Sequence, residues 1–129
     1  MGVGSSDYVE FVKDQLAPLR DVSASRFFGG VGLSSNGTQF AMIMDSSLYF
    51  VVDDSTRFKY ETMGSRCFSY STKKGRIKVR RYYVVPAELI DDQDQLLMLA
   101  RESIRVASTQ ERRPTSRTIR SRAKSRAKS

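Results

Sequence analysis

Residues 26–54, RFFGGVGLSSNGTQFAMIMDSSLYFVVDD, decide the fold. Within them Ser35-Asn36-Gly37-Thr38 is a hairpin signal, because Asn-Gly supplies the two positive φ angles of a type I′ turn. A first strand over residues 26–33 therefore pairs with a second over 40–44. Asp45-Ser46-Ser47 turns the chain into a third, over 48–52. The last two strands, FAMIM and LYFVV, are apolar at nearly every position, whereas a strand with one buried face alternates. The second face of the sheet is then expected to be covered by a twin subunit, a partner or the tail. The alternative leaves Met44 and Val51 exposed, as much apolar surface is.

Outward from this stretch the elements are predicted by periodicity. Tyr8, Phe11, Val12, Gln15, Leu16 and Leu19 share one helical face, giving a helix over about 7–17 that Asp7 caps and Pro18 ends. Asp53 or Asp54 caps a second helix reaching about Met63, with Phe58 and Met63 toward the core and Gly64 at its left-handed end. Residues 67–71 and 76–85 form a second hairpin around Lys73-Lys74-Gly75, and Pro86 opens a helical turn. A last helix over about 93–107 buries Leu96, Leu97, Ala100, Ile104 and Ala107. The order α-β-β-β-α-β-β-α predicts an α+β, two-layer domain with an antiparallel five-stranded sheet over residues 1–108. Residues 109–129, TQERRPTSRTIRSRAKSRAKS, have one bulky apolar side chain, Ile119, and repeat SRAK in tandem. They are expected to form a disordered basic tail.

Charge divides the chain at the same place. All 14 acids fall within residues 1–111, where Lys and Arg match them in number. The net +8 thus lies wholly in the eight cations of residues 112–129. Arg112, Arg113, Arg117, Arg120, Arg122, Lys124, Arg126 and Lys128 are candidate phosphate contacts. A second candidate is the run 73–81, six cations without an acid, followed by Tyr82-Tyr83. Here Lys73, Lys74, Arg76, Lys78 and Arg80 are set against a reading as a solvated face paired with the acids of 88–94. In a regular strand Arg76, Lys78 and Arg80 share one face, with Ile77, Val79 and Tyr83 on the other.

Catalytic chemistry is sparsely provided. There is no histidine, which removes the commonest general base and metal ligand. Cys67 is the single cysteine, with no partner for a disulfide or a thiolate zinc site, and suits a reducing compartment. Gly29-Gly30-Val31-Gly32 lacks the helix that a phosphate loop needs after it; these glycines read as a bulge, or as close packing of a helix over the strand. Asp91, Asp92 and Asp94 lack calcium-loop spacing and read as helix capping. No catalytic or metal-binding residues and no cofactor are expected. No apolar run is long enough to span a membrane, and a cytoplasmic protein is expected.

Arg26-Phe27-Phe28-Gly29-Gly30-Val31-Gly32 resembles the N-terminal domain of the TfoX/Sxy family, bacterial regulators of natural competence. The likeness continues through Phe40-Ala41, Leu48-Tyr49-Phe50, Val52-Asp53, Phe68-x-Tyr70, Tyr82-Tyr83-x-Val85-Pro86 and the acid-rich start of the last helix, covering residues 8–107. Phe27 stands where the family usually has Met, and Val51 where Lys is frequent. The resemblance implies a compact two-layer α/β domain with no catalytic residues, acting in competence or transcription regulation. Longer members carry a second, helical domain in place of which this sequence has the basic tail, and competence-gene activation belongs to those two-domain regulators. The resulting expectation is a non-enzymatic regulatory or adaptor protein that works through a protein partner or homodimer, with the tail touching nucleic acid without sequence preference. The alternative is a protein–protein or homodimerisation module with a merely solubilising tail.

Overall fold

The computed structural model describes the backbone of residues 3–112 and the side chains of residues 7–110. In order, the elements are α1 Val3–Gln15, β1 Val22–Phe27, β2 Gly30–Ser35, β3 Thr38–Met44, β4 Ser47–Val51, α2 Asp54–Thr62, β5 Cys67–Thr72, β6 Gly75–Val84, α3 Ala87–Ile90 and α4 Gln93–Arg112. The six strands form one open, wholly antiparallel sheet in the order β1-β2-β3-β4-β6-β5.

Six strands replace the expected five because the stretch at 26–33 folds back on itself. Phe28 (φ 48°) and Gly29 (φ 83°) form a two-residue turn between β1 and β2. The Asn36-Gly37 turn has the same signs (51°, 84°), as do Asp45 and Ser46 (51°, 60°). Three successive turns with positive φ match the twist of the strands they join. The glycines at 29–32 therefore serve neither a bulge nor a helix packed over the strand. Gly29 is a turn residue, and a Cβ at Gly30 would overlap the Ile43 carbonyl and the Met44 sulfur of β3.

The helices cover one face of the sheet. α4 lies across β3 and β4, α1 and α3 pack on α4, and α2 rests on β6. Leu33, Phe40, Ala41, Ile43, Leu48, Phe50 and Val52 fill this interface together with Val12, Leu16, Leu96 and Ala100, all within 2% of complete burial. Leu97 and Ala107 are buried too, and Ile104 packs partly buried against them, as the periodicity of α4 predicts. A bulge makes Phe40 a core residue. Consecutive pairs across β2 and β3 are Leu33↔Ala41 and Ser34↔Gln39, so Phe40 is the additional residue. Its ring packs 6.2 Å from that of Phe50. The buried Ser103 hydroxyl of α4 lies 2.7 Å from the Phe40 carbonyl and 3.0 Å from that of Val51. Both carbonyls sit just beyond the last β3–β4 pair, Ala41↔Phe50, so the hydroxyl serves them where the ladder ends.

Three boundary readings need correction. α1 begins at Val3, so Asp7 lies inside the helix rather than at its cap. α4 runs to Arg112, five residues past the helix end expected at about 107, and residues 113–129 lie outside the described residues. Phe58 does not enter the core: it is 72% exposed, and Met63 is 39% exposed. Thr56 and Tyr60, one helical turn apart, are the buried residues of α2, which puts Phe58 on the opposite side.

Asp53, rather than Asp54, is the N-cap of α2. Its Oδ1 accepts the Ser55 and Thr56 amides at 3.0 and 2.9 Å, while the Thr56 hydroxyl accepts the Asp53 amide at 3.0 Å. Partial burial pushes its carboxyl up, but hydrogen bonds from Thr56 and Ser55 outweigh this and hold it below its ordinary value of 3.8. The associated stability is complete above that value and is lost as pH falls through the lower folded one. Asp53→Ala is expected to cost about 1–2 kcal/mol at pH 7 in urea unfolding. Asp53→Asn, which keeps a capping oxygen, is expected to stay within about 0.5 kcal/mol while flattening the acid limb. An equal loss for both variants would assign the effect to charge instead of capping.

Candidate functional site

Two surfaces stand out, one basic and one apolar, on opposite sides of the β5–β6 hairpin. A register shift separates them. Cys67 pairs with Tyr83 but Phe68 pairs with Val79, so β6 carries three residues, Arg80, Arg81 and Tyr82, that β5 does not match. An odd insertion reverses the alternation. Tyr82, not Tyr83, therefore shares the face of Ile77 and Val79, correcting the regular-strand expectation. Tyr83 turns to the helix side, where it lies 6.2 Å from the Tyr60 ring and its hydroxyl donates to Glu61 at 2.7 Å. Burial, with Glu61 alongside, pushes the Tyr83 phenol up.

On the outer face of the hairpin Arg76 Nε donates to Ser69 Oγ at 3.0 Å and an Arg76 terminal nitrogen donates to Ser71 Oγ at 2.8 Å. Lys78, opposite Ser69, shares this face, and Lys73 and Lys74 form the hairpin tip; all are exposed. The tip is pinned locally, with Thr72 Oγ1 accepting the Lys74 amide at 3.1 Å and Gly75 at φ 126°. Among the described residues Lys73, Lys74, Arg76 and Lys78 form no salt bridge, and no pair joins this strand to the acids of 88–94. Arg80 approaches Glu61 at 3.8 Å, and Arg81 lies 6.0 Å over the Tyr82 ring.

The C-terminal end of α4 reaches the same region. Gln110 Nε2 donates to the Val52 carbonyl at 3.3 Å. Val52, Asp53, Asp54, Ser55, Arg57, Arg80, Arg81 and Gln110 line one shallow cleft of about 650 Å³. Asp54 is taken by Arg57 at 2.6 Å, and the Arg57 Nε donates to the Arg80 carbonyl. Arg112 follows Gln110 by only two helical residues, about 3 Å of rise. The chain therefore leaves the described domain beside Arg57, Arg80 and Arg81. The Arg112 side chain and Arg113, Arg117, Arg120, Arg122, Lys124, Arg126 and Lys128 lie outside the described residues. The placing of the end of α4 beside Arg57, Arg80 and Arg81 rests on the long-range seat of this helix and has no local signal.

The other face is an apolar cup of about 530 Å³ lined by Phe27, Phe28, Met42, Met44, Phe68, Tyr70, Val79 and Tyr82. Phe27 and Tyr70 belong to the two edge strands, which a flat six-stranded sheet would hold roughly 24 Å apart at about 4.8 Å per strand. Lining a single cavity requires the sheet to curl strongly. That curl answers much of the question posed by FAMIM and LYFVV: Met42 and Met44 line the cup, and neither Met44, half-buried, nor Val51, 1% exposed, is left in the open. The Tyr49 and Phe68 rings meet edge-on at 5.3 Å, and Gln39 Nε2 donates to the Tyr82 hydroxyl at 3.1 Å.

Cys67 is a free, half-buried thiol. Among the described residues no group of three His, Cys, Asp or Glu side chains is placed to hold a metal ion, and no helix is long and apolar enough to cross a membrane. Asp92, one of the acids at 88–94, accepts the Gln95 amide at 3.2 Å at the start of α4, as a cap does.

These features define a small α+β domain with an open curled sheet, one basic flank and one apolar cup. The TfoX N-terminal domain model matches residues 14–107, most of the chain, and the protein belongs to this family. No curated protein matches it in sequence.

Proposed function

We propose that this protein is a non-enzymatic regulatory adaptor of the cytoplasm, linked to competence or transcription regulation, and that its basic flank attaches it to nucleic acid without sequence preference. Family membership supports the regulatory role. The observation that carries the attachment is the exit of the chain beside Arg57, Arg80 and Arg81. The β5–β6 hairpin that supplies Arg80 and Arg81 also presents an exposed strand face whose Lys73, Lys74, Arg76 and Lys78 form no salt bridge among the described residues. Such an array neutralises phosphates and releases counterions, and duplex affinity then falls with salt at a log–log slope near −0.9 per phosphate engaged.

The test is fluorescence anisotropy of a labelled duplex of arbitrary sequence, titrated with the full chain and with a chain ending at Arg112, over a range of salt. The full chain is expected to bind with a steep slope that the truncation reduces. Equal affinity and slope for the two forms, or a slope near zero for the full chain, would overturn the attachment.

A further inference from the structure

The apolar cup has its own plug on its rim. Phe28 is 85% exposed, its ring held edge-on to Phe27 at 4.8 Å. It sits in the turn at φ 48°, a left-handed position that bulky side chains avoid and that Asn, Asp or Gly occupy at little cost. Strain and solvent exposure are thus combined in one aromatic residue, whose ring meets that of Phe27 alone among the described residues. The socket beside it holds about 530 Å³, well above the roughly 150 Å³ in which a benzene ring finds an apolar site.

We propose that a second copy of this chain covers the cup, in a two-fold dimer in which each protomer inserts Phe28 into the partner's socket. A knob and its hole on one face form a self-complementary patch, which is what an isologous contact requires. Among the described residues nothing fills the socket. Charge does not oppose the contact, because residues 1–111 carry equal numbers of acids and cations. Phe28, Tyr70 (47% exposed) and Ile77 (41%) add up to roughly 350 Å² of apolar surface per protomer. Burying it on both sides removes roughly 700 Å² of apolar surface, below the ~1,200 Å² at which stable specific interfaces begin and in the range of weak, transient contacts. The dimer is accordingly weak and reversible. This inference is independent of the nucleic-acid reading, since neither Phe28 nor the cup belongs to the basic flank.

Sedimentation velocity of the full chain, in high salt to screen the tail and from low micromolar to several hundred micromolar, tests it. The wild-type mass is expected to rise from that of one chain toward that of two. Phe28→Asn suits the left-handed turn, so it should leave the domain folded and raise its melting temperature while weakening self-association by at least about 30-fold, the loss of a hot-spot residue. Tyr70→Glu, at an exposed edge-strand position on the opposite wall, should weaken it likewise, with the melting temperature as the control for folding. A wild-type chain that stays monomeric throughout, even one whose cup takes up another apolar molecule or protein, overturns the proposal. So does a Phe28→Asn chain that associates as the wild type does.

Discussion

Phe50→Ala is expected to lower the unfolding free energy by about 3–5 kcal/mol, the range for deleting a fully buried aromatic side chain. Phe50 lies on β4, inside the sheet, 0% exposed, with its ring against Phe40 and its strand partners Ala41 and Tyr83 on either side. β3 is held by α4 through Ser103, and β4 by β6, so the walls of the resulting cavity have little freedom to collapse. Against a total of about 5–15 kcal/mol for a domain of this size, the variant should be marginal. Its melting temperature should fall by roughly 15–30 °C. Phe58→Ala is the matched control: the same chemical change at a position 72% exposed should stay within about 0.5 kcal/mol. Urea unfolding of the two variants decides the matter, and similar losses at both positions would contradict the packing described above.

The larger expected effect on binding comes from combining the two halves of the basic flank. Replacing Lys73, Lys74, Arg76 and Lys78 by Gln removes four exposed cations, which bears on the salt slope by up to about 3.6 at 0.9 per phosphate. Ending the chain at Arg112 removes seven and bears on it by up to about 6. If one nucleic-acid segment runs along both, each variant should lower the slope and the combined variant should lower it by close to the sum. Together they should erase most of the roughly 10³–10⁵-fold affinity change that 6–10 phosphate contacts produce between 50 and 200 mM salt. A fourfold Gln variant indistinguishable from wild type would confine attachment to the tail. Circular dichroism of each variant guards against loss of fold, which is not expected, because these side chains are exposed.

Much of the fold is legible in the sequence because its signals are local. Asn36-Gly37 declares a turn, Gly64 ends α2 at φ 83°, and the apolar spacing of Leu96, Leu97 and Ala100 places the inner face of α4. What escapes a local reading has a physical cause in each case. The turn at Phe28-Gly29 is hidden because a bulky aromatic occupies a position that turn chemistry assigns to Asn, Asp or Gly. The orientation of Phe58 depends on which side of α2 meets β6. The faces of Phe40 and Tyr82 are set by a bulge and by a three-residue register shift, and periodicity assumes neither. The candidate surfaces follow suit. The cations are visible individually, but the cleft of Arg57, Arg80 and Arg81 at the end of α4, and the cup formed from both edges of the sheet, depend on curl and on the docking of α4.

The three consecutive turns of the β1–β4 meander have a consequence for how the domain assembles. Every pairing among residues 22–51 closes across a two-residue loop, as does the β5–β6 hairpin, so four of the five strand pairings join chain neighbours at small entropic cost. The contacts of β4 with β6 and of α4 with the sheet are of another kind: Ser103 reaches Phe40 across 63 residues and Gln110 reaches Val52 across 58. Local contacts form readily and distant ones set the pace. Ribosomal synthesis delivers the segments in the same sequence, the meander first and α4 last. The carbonyls of Phe40 and Val51 gain the Ser103 hydroxyl only when this final helix docks.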